Sequence, residues 1–303
     1  MSVLSRLTSV LRDPPPEFVF EIAADGIAMS RTRPPATMQY QPLAPGVLVP
    51  SPVRDNVTDA DALADAVRKL VPPGSGRRKA ALILPDNALR ITVLDFESLP
   101  AKEEERQSLI KFRIRKTLPF DVDEAAFSYH VQAGNKVIVA VTPVEVIARY
   151  EAPFRAVGLH PGFITSSSLA LLELLPTKGS ILAAHRSSGA LTVLALRDGI
   201  LTLARSLELT ENIADPVAEV SDDLYPTLIY LEDQTGHRPD KLILVGQVSD
   251  LPSPAAERLG TELNIPTEAL HEDHPGLAGY LRSLSVASAV RKAAGAAQAR
   301  TAA

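Results

Sequence analysis

The side chains with the means to do chemistry are few and scattered. Two of the six histidines stand close together, His271 and His274, with Glu272 and Asp273 between them. Imidazole and carboxylate are legitimate zinc or nickel ligands, but this run reads as a solvated loop before a helix that starts after Pro275-Gly276, and no metal site is expected. Ser166-Ser167-Ser168 lacks the glycine-flanked elbow of a hydrolase nucleophile and reads as a helix cap. No glycine-rich loop precedes a Lys-Ser or Lys-Thr pair, and Gly74-Ser75-Gly76-Arg77-Arg78-Lys79 is a linker with a basic end. That end, with Lys111, Arg113, Arg115 and Lys116, reads either as a contact for anionic lipid or as a charged face in water. The absence of cysteine removes thiol nucleophiles, thiolate zinc sites and disulfides, and suits a reducing compartment.

The elements that must position these residues fill a large chain. At 303 residues there is room for two packed lobes. A hydrophobic fraction of 46% and a charged fraction of 22% are ordinary for a globular protein. Lys and Arg total 31 against 36 Asp and Glu, a net charge of -5, so no broad cationic field invites nucleic acid. No stretch approaches the roughly 18 to 20 apolar residues of a membrane span, which leaves at most peripheral membrane contact. Residues 1–17 predict an amphipathic helix and linker, with Val3, Leu4, Leu7, Val10 and Leu11 at helical spacing and no signal-peptide pattern. The tail over 293–303 has nothing large to bury and is expected to be disordered.

Between these ends the pattern alternates hairpins and helices. Asp25-Gly26 and Asp198-Gly199 join extended runs as hairpins, and a third hairpin crosses Ala133-Gly134-Asn135. Helices are predicted from a Thr58 cap to Leu70, from Ala101 to Leu118, and from a Thr142-Pro143-x-Glu145 capping signal to Gly158, kinked at Pro153. In the second half, helices are expected over 216–234 with a break at Pro226, over 254–263 and over 277–292. A buried strand is expected over 241–246. Hairpins followed by helices in both halves imply a duplicated mixed-sheet α/β architecture.

One stretch is more specific: Leu99-Pro100, an acid-rich helix, Leu118-Pro119-Phe120, Asp121-Val122-Asp123-Glu124 and then Tyr129. With Gly158-Leu159-His160-Pro161 after the next helix, it resembles the inserted subdomain of PilM-like proteins of type IV pilus assembly, in the actin-like superfamily. The resemblance implies an actin-like (ribonuclease-H-like) two-lobed fold. Lobe one would cover 18–178, with an inserted subdomain at 79–153, and lobe two 179–292. It also implies an ATP cleft between the lobes, and there this chain departs from the pattern. Glu21-Ile22-Ala23 and Ala28 stand where the family's first phosphate loop has Asp-Ile-Gly and a later lysine. Ala184-His185-Arg186 replaces the Asp-x-Gly of the second loop, and Gly246-Gln247 a Gly-Gly pair. A Cβ where glycine belongs keeps backbone amides away from phosphate oxygens, and a missing carboxylate leaves magnesium unheld. Arg186 is a substitute anion contact or a solvent-facing arginine.

The expectation is therefore a remnant nucleotide site, no bound ATP or magnesium and no catalysis. The resemblance implies a cytoplasmic scaffold, peripheral to the inner membrane, that holds the short cytoplasmic tail of a PilN-like single-span partner in a pilus or type II secretion platform. Its groove would lie between lobe one and the inserted subdomain, lined by Ile91 and Val93. The alternatives are an actin-like ATPase or kinase-related enzyme with atypical phosphate loops, and a self-associating or membrane-surface structural protein.

Overall fold

The computed structural model describes residues 15–33, 37–53, 55–74, 76–187, 189–210, 214–246 and 254–285. The N-terminal amphipathic helix and the tail over 293–303 lie outside the described residues, apart from 15–17. The first sheet is built from β1 (Phe18–Ala23), β2 (Gly26–Arg31), β3 (Gln39–Pro42), β4 (Arg78–Leu84) and β8 (Leu159–Ser166), in the order β3-β2-β1-β4-β8. β1 runs antiparallel to β2 and parallel to β4, and β4 is parallel to β8. The second sheet repeats this plan. β9 (Ser180–Ser187), β10 (Ala190–Arg197), β11 (Ile200–Glu208), β12 (Lys241–Gly246) and β13 (Thr267–His271) lie in the order β11-β10-β9-β12-β13. A third sheet, β5-β7-β6, joins β5 (Arg90–Asp95), β6 (Ala125–Val131) and β7 (Lys136–Pro143).

Alternation assigns each face of these strands. In β1, Phe18, Phe20 and Ile22 point to a core closed by α1 (Ala60–Leu70) and α3 (Val144–Ala156), which contribute Leu63, Val67, Tyr150 and Phe154. Val19 and Glu21 occupy the opposite face. In the second sheet Leu182, Ala184, Val193 and Leu244 pack against α5 (Pro216–Thr235) and α6 (Ala255–Leu263). The small sheet puts Val137, Val139 and Val141 against Ile110 and Ile114 of α2 (Glu103–Arg115). Leu99, Leu118, Phe120 and Tyr129 edge the same cluster. Arg106 donates from Nε to the Tyr129 hydroxyl at 2.9 Å, and that hydroxyl donates to Glu103, so the acid-rich start of α2 and Tyr129 form one network.

Two connections pass between the lobes, and they touch. After β8, α4 (Ser167–Leu171) leads toward the second sheet, and after β13 the helix over 275–285, here α7, returns to the first. Leu277 and Tyr280 of α7 pack with Ala170, Val19, Ala28, Ala81 and Ile83. At Gly279 a Cβ would stand 2.8 Å from the carbonyl carbon of Ala170 and 2.9 Å from Cα of Leu171. At Gly276 it would meet Glu21 Oε1 at 2.6 Å and Ser167 Oγ at 2.7 Å. At Gly279 the obstacle is backbone and only glycine fits, whereas at Gly276 it is the ends of side chains.

Several expectations need correction. The insertion expected over 79–153 is shorter: β4 lies inside the first sheet, between β1 and β8, and α3 packs on it, so the separate sheet spans 90–143. Asp59, not Thr58, caps α1, accepting from Ala62 N at 2.9 Å, while Thr58 Oγ1 donates to Val47 O at 3.0 Å. Thr142 stays in β7 and donates to Ala88 O, leaving α3 with no side-chain cap. α5 continues through Pro226, because the carbonyl deprived of its bond belongs to exposed Asp222, where water can serve it. β8 was concealed by Pro161-Gly162, which reads as a turn. Here the register slips at that point, Ala80 facing Pro161 and Ala81 facing Phe163, a bulge on an edge strand that tolerates both residues. β13, short and half exposed, gives no alternation to read.

The crossing yields a stability prediction. Gly279→Ala places a methyl group on rigid backbone and is expected to cost at least about 1–3 kcal/mol, read as a lowered urea midpoint. Gly162→Ala, whose Cβ meets nothing, should stay within about 0.5 kcal/mol of the parent.

Candidate functional site

The parallel strands of both sheets point their carboxyl ends at one another across the cleft between the lobes, the position at which α/β sheets hold ligands. β1 delivers Glu21 to Asp25, β4 delivers Pro85 and Asp86, β9 delivers His185 to Ser187, and β12 delivers Gly246. The link before α7 adds Asp273 to Pro275. The cavity they enclose is about 40 Å³, lined by Glu21, Ala23, His185, Arg186, Gly246 and His274 among others. That is room for a few waters, against roughly 300–1,000 Å³ for ordinary small-molecule sites.

The carboxylates of the cleft are already engaged. Glu21 is 6% exposed, and a charge so buried must be matched by donors. Its carboxylate accepts from Gly276 N at 3.1 Å, from Leu277 N at 2.8 Å and from Ser167 Oγ. The start of α7, with unpaired N–H groups and a positive dipole end, is a natural anion seat, and the chain's own Glu21 fills it. Asp86, also buried, accepts from Ser168 N at 2.9 Å and Ser168 Oγ at 2.7 Å through Oδ1, while Oδ2 meets His185 Nδ1 at 3.0 Å. Burial pushes the Asp86 carboxyl up. The hydrogen bond and electrostatic pull of His185 and the two bonds from Ser168 outweigh it and hold the group below its ordinary value.

The residues singled out in the sequence divide three ways. Glu21, Ala23, Arg186 and Gly246 do line the cleft. Gly246 has φ of 108°, and a Cβ there would run into the Arg186 carbonyl, so this glycine serves the approach of β12 to β9. Arg186 is half-buried and engaged with a neighbour. Ala28 and Ala184 face away, Ala28 into the cluster under α7 and Ala184 into the core of the second lobe. Gln247 lies outside the described residues. His271 ends β13, whereas His274 reaches the cleft mouth and stacks on Tyr40 with ring centroids 5.2 Å apart.

Ile91 and Val93 do not line an open groove. Ile91 is 7% exposed and packs with Ile138 against Ile181, Leu194 and Val245 of lobe two, with Val93 beside it. Strand alternation turns them to that side because the other face of the small sheet is already taken by α2. Beside them Gln132 donates to Leu201 O at 2.8 Å and accepts from Leu201 N at 2.9 Å, pinning the small sheet to β11.

Sequence reading missed Asp86, His185, Ser167 and Ser168 as a set. The available signal was positional, since each follows or ends an apolar strand run whose carboxyl end faces the cleft.

Two sheets of one strand order, their connecting helices crossed and a cleft off their parallel strand ends, define the actin-like fold. No protein-family model matches the chain, and no curated protein does. Among solved structures it is similar to a chain of the PilM–PilN type IV pilus biogenesis complex, with a TM-score of 0.68 and 18% identity over 92% of this chain and 99% of that one. It is also similar to the cytoplasmic domain of EpsL, an inner-membrane component of the type II secretion system of Vibrio cholerae, at 0.57 and 12% identity over 88% and 94%. A third, a protein of unknown function with an actin-like ATPase fold from Bacteroides thetaiotaomicron, scores 0.53 at 15% identity over 87% and 94%.

The depressed Asp86 value sets a pH window. A carboxyl whose folded-state value lies below its unfolded value of about 3.9 adds stability above that value and loses it as pH falls through the folded one. The melting-temperature difference between the parent and Asp86→Asn is therefore expected to shrink as pH falls below about 4. A difference that instead grows in acid contradicts the assignment.

Proposed function

We propose that this chain is a non-catalytic scaffold at the cytoplasmic face of an inner-membrane assembly platform of the type IV pilus or type II secretion kind, where it holds the short cytoplasmic tail of a single-span, PilN-like partner. The observation that carries this reading is the similarity to the PilM–PilN complex along nearly the whole of both chains. The likeness to the EpsL cytoplasmic domain supports the same setting. Among the described residues no helix is long and apolar enough to cross a membrane, so membrane placement would come through the partner.

The state of the cleft supports a role without ATP turnover. Ala23 and Ala28 offer no side-chain ligand, Glu21 already occupies the anion seat of α7, and Asp86 is committed to His185 and Ser168. The partner's tail would take an edge left open by the sheets. Among the described residues β6 pairs only with β7 and its outer edge has no strand partner, and Val144, 54% exposed, stands beside its start where Ala125 faces Pro143. An extended peptide added there would gain backbone bonds along β6 and an apolar contact at Val144.

Two measurements test this. A synthetic peptide of the membrane partner recovered with the chain should bind it in solution, and Val144→Asp should weaken that binding at least about tenfold, or about 1.4 kcal/mol, with stability unchanged. No recovered membrane protein, or peptide binding indifferent to Val144, removes the assignment. Separately, millimolar Mg-ATP should leave the melting temperature unmoved. Saturation at one hundred times a dissociation constant would add about 2.7 kcal/mol, a shift of a few degrees, and such a shift or phosphate release would favour the enzyme reading.

A further inference from the structure

Asp86 and His185 come from different lobes, 99 residues apart in sequence, and meet with side chains that are 0% and 3% exposed. Asp86 stands in the turn over 86–88 after β4, and His185 near the carboxyl end of β9. Through Ser168 the same carboxylate holds the first residues of α4, one of the two chain passages between the lobes. One buried group thus ties a strand end of lobe one, the connecting helix and a strand of lobe two. The geometry fixes its place in any lobe motion. The passages cross at Gly276 and Gly279 against Ser167 and Ala170, a tight contact that acts as pivot, while the Asp86–His185 pair spans the cleft beside it.

We propose that the Asp86–His185 pair is a latch that ties the two lobes together across the cleft, so that the chain itself fixes the relation of its lobes. The pair works because neither group is exposed and Asp86 has both oxygens satisfied. Taking one partner away reverses the effect. An imidazole without Asp86, or the Oδ2 of Asp86 without His185, is left for water to serve while Ser168 keeps Oδ1, and water reaches it by parting the lobes. Other groups lining the same cleft do not replace the bond. Glu21 is held by α7 and Ser167, and His274 stacks on Tyr40.

The chain has no cysteine, so two introduced thiols can be labelled without background. In the full chain, Val49→Cys in lobe one and Tyr225→Cys on α5 of lobe two, 45% and 53% exposed, carry nitroxides for pulsed electron-resonance distance measurement. The doubly labelled parent is expected to give one narrow distance distribution. Asp86→Ala and His185→Gln should each add a longer-distance population while keeping the parent's far-UV dichroism. Asp86→Asn, which still accepts from Ser168, should fall between. An unchanged distribution in folded Asp86→Ala and His185→Gln overturns the latch. So does loss of the folded spectrum in both, which would make the pair a support of the lobes themselves and not a tie between them.

Discussion

The contact on which the molecule depends is the close crossing of α4 and α7. Two chain segments that join the lobes lie backbone to backbone at Gly279, opposite Ala170 and Leu171, and at Gly276 the side chains of Glu21 and Ser167 come equally close. Dispersion attraction and exclusion of water at such a contact act over short distances, so one added methyl group forces the helices apart. The inner face of the first sheet, the apolar block around Leu171 and Leu172, and the cleft beside them all take their positions from it.

Around this crossing the chain solves the problem of charge inside protein with its own donors. Glu21 lies in register with Ala28 and Ile83 on the inner face of the first sheet, where an unmatched carboxylate would be strongly unfavourable. The amides that open α7 and the hydroxyl of Ser167 satisfy it. Asp86 is satisfied the same way by Ser168 and by His185 from the opposite lobe. Three consecutive serines divide the work: Ser166 caps α4 by accepting from Leu169 N, and the next two each serve one buried carboxylate.

Much of the fold was legible because periodicity and turn chemistry are local. The Asp-Gly hairpins and the duplicated hairpin-then-helix order led to the two repeated sheets, and the α2 pattern to the helix on the small one. What was hidden depended on partners far off in sequence. β8 is a strand only because β4 offers it an edge, and its bulge absorbs the Pro161-Gly162 pair that reads as a turn. Ile91 looked like a groove residue because alternation gives two faces without saying which one another domain covers. Ala23, Arg186 and Gly246 were found through the resemblance, whereas the Asp86–His185 bond joins residues with no local mark of their meeting. Ser166 was read correctly as a cap; the partners of Ser167 and Ser168 were beyond any local rule.

The small sheet belongs to lobe one by chain connection and to lobe two by contact. Its strands leave and rejoin the first lobe at 90 and 143, yet one face rests on Ile181, Leu194 and Val245, and Gln132 grips Leu201 with both ends of its amide. In mechanical terms it is a brace. A pull on β6 divides into two load paths, one along the covalent backbone into the first sheet and one across side chains into the second. The passages through α4 and α7 are therefore not alone in setting where one lobe stands against the other.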